Sequence, residues 1–456
     1  MKRIIILGAG ISGLSLGWFL KRRFGSRISL QILEKSDRPG GWIQTVRKNG
    51  FLFEQGPRSC RSKGSGLETL RLIEQLEMQD EIIPADPAAH HRYLLINKKL
   101  CKIPSGPISF LCSPLVLTVL PAVFRDLLTP ESNLEDESIF DFISRRFSTR
   151  IAEKLIDPIV SGIYAGDIRK LSIKSCFPSL HQSEKTSGSV LKGMMVGRKE
   201  RKHSSTKGAA KIKGSSLFSL KGGMESITNE LANRLEEHII YSCEAKSIQC
   251  SDENAAIVLK NGSALEGDRI FSTIPPFALA SLLDEAAVDI KKLLYQIPPV
   301  SVAVVNFGFH RKVLKKQGFG YLVPSKEMEK VLGVVWDSSI FPQQNQIPEE
   351  TRLTVMIGGA HMHNFDDHTE DDFLQIAFNS IEQHLGIKVK PDAVMVKIAK
   401  HSIPQYLVGH SERVKKIEAF LSQNIPKLTL HGNSFHGISV NDCIANSKRI
   451  EENLRL

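Results

Sequence analysis

Residues 1–20 read "MKRIIILGAGISGLSLGWFL", and residues 30–45 read "LQILEKSDRPGGWIQT". Arg3–Leu7 is an unbroken Ile/Leu run, the pattern of a strand buried on both faces. Gly8, Gly10 and Gly13 follow as GxGxxG, and an apolar-periodic run to Phe24 predicts a helix. "RISLQIL" predicts the second strand of a βαβ unit. In such a turn the first glycine permits the tight bend, the second admits a pyrophosphate to the backbone, and the third lets helix pack on strand. The unpaired N–H groups of the helix start and its dipole favour negative charge there. Glu34 falls at the end of the second strand, where a carboxylate accepts from ribose hydroxyls and repels a 2′-phosphate.

The 456 residues are 41% hydrophobic and 24% charged, which excludes a disordered or fibrous chain and suggests two or three domains. A net charge of +11 favours acidic partners: nucleic acid, anionic lipid or a polycarboxylate. The most basic stretch, "GRKERKHSSTKGAAKIKG", has no interleaved aromatic residue, so nucleic acid is not expected. Seven scattered cysteines without a CxxC pair suggest neither a disulfide framework nor a zinc site, and fit a reducing cytosol. The histidines at 90, 91, 361, 363 and 436 form no zinc pattern, and no metal site is expected. The basic start and apolar run of the N-terminus are broken by glycines and read as mature fold rather than signal peptide. The apolar stretch Ile108–Phe124, interrupted by Pro114 and Pro121, is short for a membrane span; it reads equally as buried helices or as a surface dipping into one leaflet.

Along the chain, residues from about Tyr93 to Arg169 read as mainly helical, and 181–214 as a basic surface loop. "LFSLKGGMESITNELANRLE" reads as strand, turn and helix, and "AAIVLKNGSALEGDRIFSTIP" as two strands about an Asn-Gly turn. Short strands recur from Val300 to Ile357, a helix follows near Asp372–Leu385, and the chain closes with strand, glycine turn and helix. Strand–turn–helix units at both ends point to one discontinuous nucleotide-binding sheet.

The segment "DRPGGWIQT" after the ribose acid resembles the second motif of the flavin amine oxidase and protoporphyrinogen oxidase superfamily. "FLFEQGPRS", "RYLLINKKLCKIP", "DPIVSGIYAGD", "FSLKGGMESI" and "GNSFHGISVNDCI" resemble the protoporphyrinogen oxidases in particular, and together they span almost the whole chain. The resemblance implies FAD as cofactor. It implies an α/β fold with α+β insertions: a Rossmann-like FAD-binding domain (1–90, 215–290 and 400–456), a mixed-sheet substrate domain (291–399) and a helical membrane-facing domain (91–180). It also implies oxidation of protoporphyrinogen IX to protoporphyrin IX. Six electrons leave in three cycles, with three O2 giving three H2O2.

Carried over by position, the resemblance assigns Gly8, Ala9, Gly10, Ile11, Ser12, Gly13, Glu34 and Lys35 to the cofactor. Arg38, Gly41 and Trp42, then Gly56, Pro57, Arg58 and Ser59, then Ala245, Asn433, Ile438, Ser439 and Val440 complete the set. "GISVND" opening a helix would aim N–H groups at the flavin edge that carries negative charge on reduction. For the substrate it assigns Arg92, whose guanidinium can grip a propionate, with Leu322 and Val335 sandwiching a pyrrole ring. Met356 stands where some relatives have a stacking Phe, and Gly162 and Ala165 where backbone passes the macrocycle. With hydride passing from substrate carbon to flavin N5, no side-chain acid or base is assigned.

Coproporphyrinogen III, with four propionates instead of two, is the alternative substrate. An amine oxidase, a carotenoid desaturase and a non-enzymatic prenyl-GTPase chaperone are rivals on the same fold. Low aromatic content and Arg92 argue against the first, and the intact glycine motifs against the chaperone. The expected partners are a porphyrinogen and O2. Homodimerisation, hand-over to the next haem-pathway enzyme and a cytoplasmic location, peripheral on a membrane face, stand as open expectations.

Overall fold

The first strand, Lys2–Leu7, alternates its side chains between two cores. Ile4 and Ile6 pack beneath helix Ile11–Phe24, while Ile5 and Leu7 pack against the opposite layer. That is why its sequence is apolar without interruption. Its sheet is parallel throughout, in the order Ile239–Ile240, Ile28–Leu33, Lys2–Leu7, Arg269–Ser272, Leu428–Leu430. Both ends of the chain thus supply strands to one sheet. The structure is a computed structural model and describes residues 1–104, 116–199, 212, 214–250, 255–285 and 287–455.

Helices Ile11–Phe24, Gly66–Gln75, Glu225–Arg234 and Val440–Asn453 cover one face of this sheet. The other face carries the antiparallel meander Ala245–Cys250, Ala255–Leu259 and Ala264–Gly267, with helix His410–Asn424. The "AAIVLKNGSALEGDRIFSTIP" segment therefore holds three strands, not two, because Arg269–Ser272 leaves the meander for the parallel sheet.

A second, seven-stranded mixed sheet runs in the order Ala393–Pro404, Pro299–Phe309, Thr351–Gly358, Val331–Val335, Gly320–Leu322, Arg92–Ile96, Lys99–Ile103. One face packs on helix Glu370–Leu385 through Tyr93, Tyr321, Val334 and Val355. The last two strands correct the expectation of helix from Tyr93 onward: residues 92–103 form a β-hairpin that extends this sheet.

Helices do dominate from Val116 to Lys199. The expected loop at 181–214 is also corrected over its first half, where helices Pro178–Ser187 and Val190–Lys199 form an antiparallel pair. An ion cluster fixes that pair: buried Arg146 lies between buried Asp126 and Glu184, and partly exposed Arg145 reaches Glu184 at 2.8 Å. Most of the basic stretch at 200–213, and the first part of Ile108–Phe124, lie outside the described residues. Phe124, Leu128, Leu134, Met194 and Met195 are exposed on the helical region. Among the described residues no helix is long and apolar enough to cross a membrane.

Candidate active site

Strand Lys2–Leu7 ends at Gly8, whose φ of +99° suits glycine and turns the chain into the helix. A Cβ at Gly13 would stand 1.9 Å from the Gly8 carbonyl oxygen, so only hydrogen fits where helix meets strand. Helix Ile11–Phe24 begins at Gly10 with no side-chain cap and no acid in its first turn. Its leading N–H groups are therefore available to an anion. The second glycine turn lies directly against the first. Gly40 N donates to Ala9 O at 2.8 Å, and Gly10 bridges Gly40. Arg38 holds this turn closed, donating to the carbonyls of Pro39 at 3.0 Å and Gly41 at 2.7 Å. Two glycine backbones thus meet edge to edge at a helix start, a cradle fitted to a diphosphate.

Glu34 follows the neighbouring strand. Its carboxylate accepts from Ala9 N at 2.8 Å, from Ser36 N at 2.9 Å and from Ser36 Oγ at 2.7 Å. It is both a positioning group for the glycine turn and the acid beside it. Cys243 N donates to Glu34 O, which brings Ala245 close to the same edge. Lys35 is exposed beyond it. Gly56 lies so close to Trp42 O that a Cβ would come within 2.1 Å, so residues 56–59 continue past the Gly-Gly turn. These residues suit an FAD.

At the other end of the chain, Tyr406 ties the loop before the last helix. Its hydroxyl donates to Asn433 O at 2.5 Å and accepts from Gly437 N at 3.0 Å. The helix Val440–Asn453 then starts at Ser439 with a full capping box to Asp442. This narrows the expectation for "GISVND". The Asp442 N–H is taken by the cap, and the carboxylate of Asp442 already faces the positive helix end.

The residues expected to meet substrate converge through strand register. One row across the second sheet runs Arg92–Gly320–Val335–Thr354, and the next runs Leu94–Leu322–Gly333–Met356. Arg92, Leu322, Val335 and Met356 therefore share one face, opposite the helix-covered core. Helix Asp157–Tyr164 crosses that face: a Cβ at Gly162 would be 2.7 Å from Leu322 Cδ2. Ala165 ends that helix in the left-handed region at φ +48° and packs in one apolar cluster with Met356. All six residues thus border one face.

Two polar features were not anticipated from the sequence. Arg58, from the cofactor loop, pairs with Asp337 at 2.7 Å and touches Met356 Sδ at 3.9 Å. Asp337 also accepts from Thr354 Oγ1 at 2.7 Å. Asn306 donates to that same hydroxyl at 2.8 Å, and its Oδ1 accepts from Gln55 Nε2 at 2.7 Å. This chain of bonds stitches residues 55–58 to the seven-stranded sheet. A polar Asn306 between Val305 and Phe307 in the apolar strand "VSVAVVNFGF" was the signal that could have found it.

The second feature is Glu54. Burial pushes its carboxyl up to about 7, against hydrogen bonds from Met224 N at 2.7 Å and Thr45 Oγ1 at 2.8 Å. The fold therefore keeps a proton that the unfolded chain loses once pH rises past the ordinary carboxyl range. This stabilisation is full at low pH and is lost as pH climbs through about 7. Urea unfolding of wild type and Glu54→Gln from about pH 4 to about pH 8 should show the wild type losing about 3 kcal/mol relative to the variant. A difference independent of pH would refute the assignment.

Comparison with known proteins agrees with this geometry. The model of the flavin containing amine oxidoreductase family matches residues 11–449. The chain is 35% identical to the protoporphyrinogen oxidase of Homo sapiens, covering 98% of this chain and 97% of that one. It is 28% identical to the coproporphyrinogen III oxidase of Bacillus subtilis (strain 168), covering 98% and 96%. A crystallographically determined protein of Exiguobacterium sp. 255-15, provisionally assigned as a protoporphyrinogen oxidase, superposes with TM-score 0.83 at 25% identity over 99% of this chain and 98% of its own. With its paired glycine turns, an acid tied to the first of them and a family match from the first helix to the last, the chain belongs to the flavin containing amine oxidoreductases and is an FAD-dependent oxidoreductase.

Proposed function

We propose that this protein oxidises a porphyrinogen to the corresponding porphyrin, with protoporphyrinogen IX as substrate and coproporphyrinogen III as the alternative. The observation that carries the reading is the shared face of Arg92, Leu322, Val335 and Met356, bordered by Gly162 and joined to the cofactor loop through Arg58. Bound FAD supplies the two-electron acceptor. Leu322, Val335 and Met356 offer an apolar surface to a macrocycle, and Met adapts to an irregular ring edge. Arg92 stands exposed at the rim, where a guanidinium meets a propionate without drawing it into the apolar floor. Arg92 and the apolar side chains on this face orient the substrate and exclude water. The family names among the relatives support the substrate class, one naming each porphyrinogen.

The exposed Phe124, Leu128, Met194 and Met195 support a peripheral seat on a membrane as part of the same reading, since the product is poorly soluble. One preparation tests both. Aerated, FAD-loaded protein should generate porphyrin fluorescence and peroxide from protoporphyrinogen IX faster than from coproporphyrinogen III, and should co-float with anionic vesicles. Fluorescence from neither compound would overturn the function. The reverse ratio of rates would select the alternative, and protein left at the bottom of the gradient would remove the membrane seat.

A further inference from the structure

Arg92 is not alone at its rim. Its guanidinium carbon lies 5.3 Å from the centroid of the Phe319 ring. Phe319 packs with Leu217 and Val335 over Ile83, Ala85 and Ile340. Strand Cys60–Arg61 runs beside that patch, and its register places Arg61 opposite Leu217. Cross-strand partners project from the same face of a sheet, so Arg61 and Arg92 flank one apolar floor that includes the substrate residue Val335. Both side chains are exposed, and among the described residues neither makes an ion pair with a carboxylate. Arg58, by contrast, is neutralised by Asp337. The Arg92 guanidinium is held below its ordinary range, first by its apolar surroundings and then by the charge of Arg61. Two like charges that act on each other repel, and a bound dianion relieves that repulsion.

We propose that Arg61 is a second substrate-binding residue, and that Arg61 and Arg92 together grip two carboxylates of one amphipathic tetrapyrrole whose ring edge lies on Phe319 and Val335. The proposal rests on the porphyrinogen reading above. It makes the spacing of neighbouring carboxylates, rather than a single carboxylate, the feature read at this rim. Arg92 sets one anchor point, and a second guanidinium fixes the rotation of the macrocycle about it.

The test uses FAD-loaded enzyme and steady-state porphyrin fluorescence. With protoporphyrinogen IX, Arg61→Gln should raise KM roughly tenfold while kcat moves far less, the signature of lost binding to a charged group. With the dimethyl ester, which carries no anion, the variant and wild type should differ by less than about twofold. Arg61→Lys, which keeps the charge but not the fork, should fall between them, and it serves as the readout if the glutamine variant fails to retain flavin. A KM for the diacid unchanged in both variants would overturn the second anchor and leave the porphyrinogen reading standing. An equal rise for diacid and ester would also overturn it, since the effect would then be on shape rather than charge. Wild-type enzyme that oxidises no porphyrinogen would overturn the reading itself, and the anchor with it.

Discussion

Gly13→Ala should yield a protein that is colourless after purification. The added methyl would lie 1.9 Å from the Gly8 carbonyl oxygen and 3.1 Å from its carbon, both backbone atoms that cannot rotate away. Either the helix start or the strand end must move, and either movement opens the cradle. We expect flavin retention to fall below about a tenth of wild type, with stability lowered by about 2–4 kcal/mol. Gly10→Ala supplies the contrast. Its methyl would meet only Gly41 Cα, at 4.0 Å, so the protein itself has room for it. That variant should fold with near-normal stability and still lose flavin, because the methyl faces the path of the pyrophosphate. Absorbance of the flavin and thermal unfolding of both variants check this. A yellow, stable Gly13→Ala protein would refute the account of the turn.

Asp337→Ala should produce the second large effect. Arg58 and Asp337 are both nearly enclosed, and Thr354 completes the carboxylate's bonding. Removing the acid leaves a guanidinium buried without its counter-charge, at a cost of about 3–5 kcal/mol. Asp337→Asn also removes the counter-charge but keeps an acceptor for Arg58, and should cost less. Because Arg58 belongs to the loop assigned to the cofactor, Asp337→Ala should also weaken flavin retention. Chemical unfolding monitored by both tryptophan and flavin signals measures the two effects. A loss of stability below about 1 kcal/mol would show that Arg58 finds solvent instead.

The parts of this protein that could be read from sequence are those whose physics is local. Gly8, Gly10, Gly13, Gly40 and Gly41 are spaced by the demands of a turn a few residues long, and Glu34 lies one strand away. The hairpin at residues 92–103 was missed because its support is remote. Arg92 pairs with Gly320, and Tyr93, Leu94 and Leu95 are all buried, so no alternation announces a strand. A local signal was present in Asn97 and Lys98, which both take the left-handed conformation of a tight hairpin turn. Helices Pro178–Ser187 and Val190–Lys199 escaped for a different reason. Their anchor is Glu184, a buried acid held by two arginines, rather than an apolar stripe. The Arg58–Asp337 pair joins positions far apart in sequence, and neither neighbourhood betrays the other.

The parallel sheet also governs the order in which the molecule can be completed. On the ribosome, Lys2–Leu7 emerges with Ile28–Leu33 close behind, but its other edge waits for Arg269–Ser272. The outer strand Leu428–Leu430 and the loop tied by Tyr406 come last. Until more than half of the chain has been made, an apolar strand edge stays unpaired and exposed to other chains. A product that stops short of Leu428 lacks both the outer strand and helix Val440–Asn453, so the helix that opens at the glycine turn stays uncovered until that segment is made.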